Sequence, residues 1–520
     1  MAALTLSLTG CFDDDSTLGV ENIKETTIEG IEDSYVRTAY VGERLTITPT
    51  VTSSFDDSQM TYTWLLLDKN TGTEDNDGNV VEPTVIGNEK TLDYEVALAP
   101  GTYEVRFVAT SSDNGYSVYY LTTLTVRTLY SQGFYILKQT ADGNTDLDLL
   151  TLSQEQSDNL IANVDGQPLS GKPISLYPNY FMNYINPDND KIESTNAITV
   201  TTDRKCIDVR RVSDFKNIFT RDNICYDAMD EDEQFYATCL STLFGYTLMY
   251  TSKGIYQTAS SKQSNKSTGQ FGMPKSKCGG SNYFFIDLPN SGNGALWDAK
   301  SHSLKSYNYN INVSPLLYGD LTGETETQHL TDYDCIHCGF NRLADKSTGL
   351  FILSEGNNGK RHLYISEGSS KGVKLSKHIV FPDDSHAARA TAYSTNGISA
   401  SYLYCIDNNK LYAYIFNSDE NSEAELKLEG IPSDETLTYV TNQFWNPSFS
   451  PGSKFDYLVV ATQKGDYYKL YFYNTNGGAP EGSPIMVKEG VGKVKCVRFL
   501  NDGYSTTDPR FGRQVYNIND

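Results

Sequence analysis

Long apolar runs are missing. Nowhere do about 18 apolar residues stand together, so no segment of the 520-residue chain can cross a bilayer as a helix. Basic charge is scarce: 42 Lys and Arg stand against 66 Asp and Glu, a formal net charge of −24. That balance argues against the concentrated basic patch that phosphates require, so no nucleic-acid partner is expected. The acidic surplus reads instead as a surface kept soluble and non-sticky. Histidine is rarer still, six residues in all, and none lies in a zinc-protease string. The nearest approach to a serine nucleophile elbow, Gly397-Ile398-Ser399-Ala400-Ser401, lacks its second glycine. With no catalytic constellation in view, the expectation is a protein that is not an enzyme, with no cofactor and no metal.

What the chain does have is strand-forming material. There are 37 Tyr and 40 Gly, aromatic residues make up 12%, and Val, Ile and Thr recur between turn residues. This mixture predicts an all-β protein, and the length predicts more than one unit.

The opening residues carry a different signal. A short apolar run ends in Leu8-Thr9-Gly10-Cys11 and passes at once into Phe12-Asp13-Asp14-Asp15. Two small residues before a cysteine form the cleavage-and-lipidation pattern of bacterial lipoproteins, although Met1 to Gly10 contains no Lys or Arg for a basic leader segment. On this reading residues 1–10 are a signal-peptide remnant and Cys11 is the lipidation site. Asp13, Asp14 and Asp15 resemble the export tag that sends lipoproteins of gut Gram-negative bacteria to the outer leaflet. The expected location is therefore the outer membrane, lipid-anchored and facing the extracellular side. Residues 11–32 are polar and acidic, too poor in apolar surface to fold alone, and read as a tether.

Residues 33–128 alternate with period two through short runs such as Arg44 to Val51, Met60 to Leu67 and Gly101 to Thr110, the pattern of a β-sandwich with Trp64 as its core aromatic. Residues 129–520 carry a looser repeat: an apolar aromatic strand, a Gly/Asn/Asp/Lys turn, and a returning strand with Leu-Tyr or its equivalent. Clear copies are Phe134 to Leu152, Leu350 to Ser366, Tyr402 to Phe416 and Tyr457 to Tyr473. Weaker ones are Ala197 to Phe215, Tyr246 to Gln257 and Tyr283 to Tyr307, making seven. A seven-bladed β-propeller is expected, with six or eight blades and a large sandwich of unrelated hairpins as alternatives. The apolar strand of each copy is assigned to the inner edge of its blade.

Cys335-Ile336-His337-Cys338 could hold one side of a tetrahedral zinc, but His302 and His329 supply no second pair at matching spacing. A local disulfide between Cys335 and Cys338, or two structural thiols, remain. Besides Cys11 there are eight cysteines, several inside apolar strand patterns, so few disulfides are expected. The runs Asp142 to Asp148 and Asp75 to Asn79 place oxygens at alternate positions like calcium loops, but neither has the distal glutamate, and both read as hairpin turns. Trp297 and Trp445, two of only three tryptophans, lie in turn-rich stretches. Exposed, they would bind sugar rings or peptide side chains; the competing reading has each filling a gap between blades.

The Tyr62-Thr63-Trp64 strand and the Pro-Gly-Thr-Tyr-x-Val-x-Phe-x-Ala run from Pro100 to Ala109 resemble the polycystic-kidney-disease-type (PKD-like) immunoglobulin domain. With the Leu8 to Asp15 pattern and the repeats, the layout resembles the PKD-like surface lipoproteins that accompany SusC/SusD nutrient-uptake pairs. The resemblance implies a non-enzymatic accessory subunit that binds or retains oligosaccharides or peptides. Its partners would be a SusC-like TonB-dependent transporter and a SusD-like lipoprotein, and its contact with the membrane would be the lipid anchor. The rival expectation is a surface propeller hydrolase or lyase that cuts polymers before import.

Overall fold

The computed structural model describes residues 25–38, 43–54, 59–68, 82–98, 101–241, 245–261, 263–278, 280–281, 283–287, 293–308, 310–316, 330–343, 347–369, 372–418, 420, 422–445 and 455–500. It is nearly all β: the two helices among these residues, α1 (Leu160–Asp165) and α2 (His386–Arg389), are short. The chain divides into two compact units, Met1–Leu129 and Tyr130–Asp520.

The first unit is a sandwich. Ser34–Thr38, Ser117–Arg127, Gly101–Ser111, Met60–Asp68 and Thr84–Gly87 lie side by side in that order. The first two of them run parallel and the rest antiparallel. Gly101–Ser111 shows why the sheet has one buried face, since Tyr103, Val105, Phe107 and Ala109 point inward at every second position. They meet Leu45, Ile47 and Leu92 from the facing pair of short strands. Trp64 is the core aromatic expected of it: fully buried, 4.5 Å from the Phe107 ring, with its indole N–H donating to Glu89 O at 3.0 Å.

The second unit holds seven antiparallel sheets among its described residues. The second to seventh are meanders in chain order, starting with Pro173–Asn186, Phe235–Ser241, Phe284–Asp287, Tyr333–Asn341, Ala392–Thr395 and Thr436–Trp445. The first sheet is built from both ends of the unit: Gly133–Gln139, Thr145–Leu150 and Gln156–Ser157 are joined by Lys493–Leu500, which pairs antiparallel with Gly133–Gln139. Each of the seven sequence copies falls in a different sheet, six of them as its second and third strands, while Tyr283 to Tyr307 takes in the first strand of the fourth sheet as well.

That placement corrects the assignment of the apolar strand to the inner edge. The strands that gather against one another from sheet to sheet are the ones before the copies: Pro173–Asn186 packs on Phe235–Ser241 and on Lys493–Leu500, and Tyr333–Asn341, Ala392–Thr395, Thr436–Trp445 and Lys493–Leu500 pack in succession. These carry buried polar side chains. The copies are apolar because their strands are covered on both faces by neighbouring sheets, and successive sheets share hydrophobic clusters, the seventh with the first included.

Polar side chains on the gathered strands tie one sheet to the next. Asn183 Nδ2 donates to Ser264 O at 2.7 Å, Asn341 Nδ2 to Ala400 O at 2.8 Å, and Gly397 N to Asn442 Oδ1 at 2.9 Å. Gln443 Nε2 donates to Val497 O at 3.1 Å, and its Oε1 accepts from Phe499 N at 3.2 Å. The seventh sheet also reaches the first through Tyr468 OH, which donates at 2.6 Å to Asp148, the buried partner of Lys138. Buried polar groups satisfied in this way specify one arrangement of neighbours where apolar packing alone would tolerate several.

Candidate functional site

In an antiparallel meander the turn between the second and third strands lies at the same end as the connection to the next sheet. Both helices and the long segment 221–234 therefore lie at one end of their sheets. Here 225–233, the turn at 252–254 and the stretch 272–277 line a cleft of about 720 Å³, to which Lys300 of the fourth sheet also contributes.

The walls are stapled down. Tyr226 N donates to Phe271 O at 2.9 Å and Phe271 N to Ile224 O at 2.8 Å. Ile255 N donates to Ser276 O at 3.0 Å, an approach that needs the neighbouring glycine, because a Cβ on Gly254 would stand 2.3 Å from Ser276 O. Arg221 lies over the Phe235 ring at 5.4 Å and donates to Glu233 O at 2.9 Å and to Asp230 O.

The deepest acid of the cleft, Glu233, is only 2% exposed and accepts from Thr251 Oγ1 at 2.5 Å and Tyr256 OH at 2.8 Å. A buried carboxylate in a cleft invites a catalytic reading, but the seventh sheet repeats the arrangement. There Glu435 accepts from Thr462 Oγ1 at 2.5 Å and Tyr471 OH at 2.8 Å, with Lys469 Nζ at 3.3 Å. In the sixth sheet His386 takes the place of the glutamate. Its Nδ1 lies 2.8 Å from Asp407 Oδ2 and its ring stacks on Tyr412 at 3.5 Å. In all three a residue of the incoming connection is fastened to a side chain near the end of the second strand and to a tyrosine on the third. These are fastenings that hold the connection against the hairpin. Burial and the adjoining Glu233 carboxylate both push the Tyr256 phenol up, so it stays protonated as the donor.

The remaining cleft chemistry is charge. Asp230 and Asp232 grip Lys253 Nζ at 2.7 and 2.5 Å, and these bonds raise the ammonium to about 12. Asp227, Lys277 and Lys300 line the same cleft without an ion pair among the described residues. Cys225 on the wall is no nucleophile, since burial, with Glu233 and Asp227 adding to it, pushes its thiol up to about 12. No group of three or more His, Cys, Asp or Glu among the described residues is placed to hold a metal. The cleft can bind and orient a charged ligand; it does not present a nucleophile beside a base.

The residues singled out from the sequence lie elsewhere. Cys11, Asp13, Asp14 and Asp15 are outside the described residues, as are Asp75 to Asn79 and His329. Trp297 and Trp445 are not binding platforms: they are 3% and 1% exposed, because the turn-rich stretches read around them are strands, Asn293–Asp298 and Thr436–Trp445, whose ends bury between sheets. Cys335 and Cys338 are thiols in one strand, buried in the cluster between the fourth and fifth sheets, and form no disulfide. Burial pushes the Cys335 thiol well up and takes the His337 imidazole down to about 3, so His337 is neutral. Of the run Asp142 to Asp148, Asp142 to Asn144 make the expected hairpin turn, while Thr145 to Asp148 already belong to the strand Thr145–Leu150. Beyond that turn Asp146 accepts from Ile161 N at 2.9 Å and Ala162 N at 3.3 Å, closing the start of α1. Ser399 is part of a turn gathered by Asn396 Oδ1, which accepts from the backbone N–H groups of Ile398, Ser399 and Ala400.

The model of the PKD-like family matches residues 11–173, less than half of the chain, and takes in both quoted motifs and the start of the second unit. No curated protein matches. Among solved structures, a quinonprotein alcohol dehydrogenase-like protein of Bacteroides thetaiotaomicron is 14% identical, covering 90% of this chain and 96% of that one with a TM-score of 0.38. An auxiliary nutrient binding protein of the same organism is 9% identical over 88% and 87% at 0.29. A Lactobacillus plantarum protein is 13% identical over 71% and 100% at 0.41. At such scores and identities these likenesses bear on neither mechanism nor ligand.

Proposed function

We propose that this chain is a lipid-anchored protein of the outer membrane's extracellular face. It would act as a non-enzymatic accessory subunit of a SusC/SusD-type TonB-dependent transporter and retain oligosaccharides or peptides for uptake. Its second unit would be a closed seven-bladed β-propeller, and the ligand would be held on the end that carries the inter-sheet connections. The lipidation pattern at Leu8 to Cys11, Asp13 to Asp15 and the PKD-like match at 11–173 support the anchor and the company it keeps. The pairing of Lys493–Leu500 with Gly133–Gln139 supports closure, since it brings the last described strand into the first sheet.

The observation that carries the binding role is the cleft between 225–233 and 272–277: about 720 Å³, open to solvent, with stapled walls and with Asp227, Lys277 and Lys300 in no ion pair among the described residues. Its size falls within the roughly 300–1,000 Å³ typical of small-ligand sites. Binding is favoured over hydrolysis because the buried carboxylate that would have to act as acid or base has a structural counterpart at Glu435.

The test is gentle detergent extraction of native outer membranes, with a tag at Asp520 and mass spectrometry of what co-purifies. A stoichiometric TonB-dependent transporter with its SusD-like lipoprotein is the expected result. Recovery of the chain alone would overturn the accessory role, and retention of a Cys11→Ala variant in the membrane would overturn the anchor.

A further inference from the structure

Accepting that the cleft holds a nutrient, we propose that the nutrient is a peptide carrying both acidic and basic groups, and that the cleft does not hold a neutral glycan. Its lining carries both signs of charge. The segment 225–233 contributes Asp227, while Lys277 comes from 272–277 and Lys300 from the fourth sheet, and the described residues place no ion-pair partner on any of these three. Lys253 balances only one of Asp230 and Asp232, so this trio leaves one acidic charge beside Asp227. A ligand in the cleft meets both carboxylate and ammonium groups, which suits a chain with its own groups of both signs.

Neutral sugars bind by stacking on open aromatic faces, and the described lining residues offer none, the exposed Tyr226 of the same segment not being among them. The cleft's one aromatic lining residue, Tyr256, is 7% exposed with its hydroxyl committed to Glu233. The large apolar side chain at the mouth is Met273, 81% exposed. A thioether on a flexible stem adapts to side chains of varied shape, as a surface that takes many peptide sequences requires.

The test is isothermal titration calorimetry of the full chain with four probes. They are an octapeptide containing Lys and Glu, the same peptide with Ser at those positions, maltoheptaose and an oligogalacturonate. The charged peptide should bind, weakening as salt rises, and the Ser peptide should bind about tenfold more weakly or not at all. Lys277→Ser/Lys300→Ser should cost about tenfold or more. Gly272 is a site for a plug, because a Cβ there meets nothing within 4 Å and no positive φ is imposed. Gly272→Phe should abolish binding while Gly272→Ala keeps it, with both variants melting like the parent. Tight binding of maltoheptaose or the oligogalacturonate that Gly272→Phe removes would overturn the peptide assignment. Peptide binding that survives Gly272→Phe would move the site elsewhere, and absence of any peptide binding would refute the proposal. Co-purification of Gly272→Phe with the transporter separates the two readings, since a plugged chain that still assembles leaves the accessory role standing.

Discussion

Phe499→Ala probes whether the last described strand belongs to the core of the second unit or merely lies along its edge. Phe499 is 1% exposed, and its ring lies 5.0 Å from Phe134 of the first sheet and 4.9 and 6.0 Å from Phe455 and Trp445 of the seventh. Removing the ring leaves a cavity walled by three aromatic side chains fixed in strands, which cannot collapse into it. The cost is therefore that of a buried Phe→Ala change, about 3–5 kcal/mol. A unit spanning Tyr130–Asp520 has an unfolding entropy near its midpoint of about 0.8 kcal/mol/K, so the melting temperature should fall by about 4–6 °C. Differential scanning calorimetry of the full chain measures this, and Phe499→Leu, which refills most of the space, should lose less than half as much. A Phe499→Ala protein melting within about 1 °C of the parent would refute the reasoning, because the strand would then contribute pairing without packing.

Glu435→Gln should destabilise by about 1–3 kcal/mol, since it leaves Thr462, Tyr471 and Lys469 donating to an amide in place of a carboxylate. Burial works to raise the Glu435 carboxyl, but the hydrogen bonds from Thr462, Tyr471 and Lys469 together outweigh it and hold the group below its ordinary value. Its stabilisation is then present above the ordinary carboxylate value of about 4.3 and is lost as pH falls through the folded value. Urea midpoints at neutral and acid pH should differ more for the parent than for Glu435→Gln, and equal differences would rule the fastening out. Cys335 and Cys338 should be silent to an aromatic disulfide reagent in the native protein and react fully in denaturant. A peptide map showing the two joined would contradict the buried-thiol assignment.

Much of the fold was legible because period-two alternation is a strong signal where one face is wet. Gly101–Ser111 declares its inward residues plainly, and Trp64 could be placed from its strand alone. The hairpins of the second unit were legible for the opposite reason. Strands such as Tyr402–Asp407 and Phe455–Lys464 are covered on both faces and so read as apolar runs between turn residues. The strands that gather from sheet to sheet were not legible, because they mix Asn, Thr and Gln with apolar residues and look like loops until their partners are known. Asn341 and Asn442 are examples, each spent on the backbone of the sixth sheet. Trp297 and Trp445 failed for a related reason: Gly, Asn and Pro nearby suggested turns, while the tryptophans themselves belong to strands whose neighbours supply the cover.

The site was hidden by the acidity itself. Among 66 carboxylates no spacing marks Asp227 or Glu233, since the lysines that give the cleft its second sign come from residues 277 and 300, in separate segments of the chain. The useful signal is comparative. Glu233 and Glu435 each stand just before the first strand of a sheet, with a threonine near the end of the second strand and a tyrosine on the third, and His386 with Asp407 and Tyr412 fills the same three places. A titratable group that recurs at one position of a repeat is explained by what the repeat uses it for, and in three of the sheets that is to fasten the incoming connection. Function is then to be sought in the charges that have no counterpart in the other fastenings, and in this cleft those are Asp227, Lys277 and Lys300.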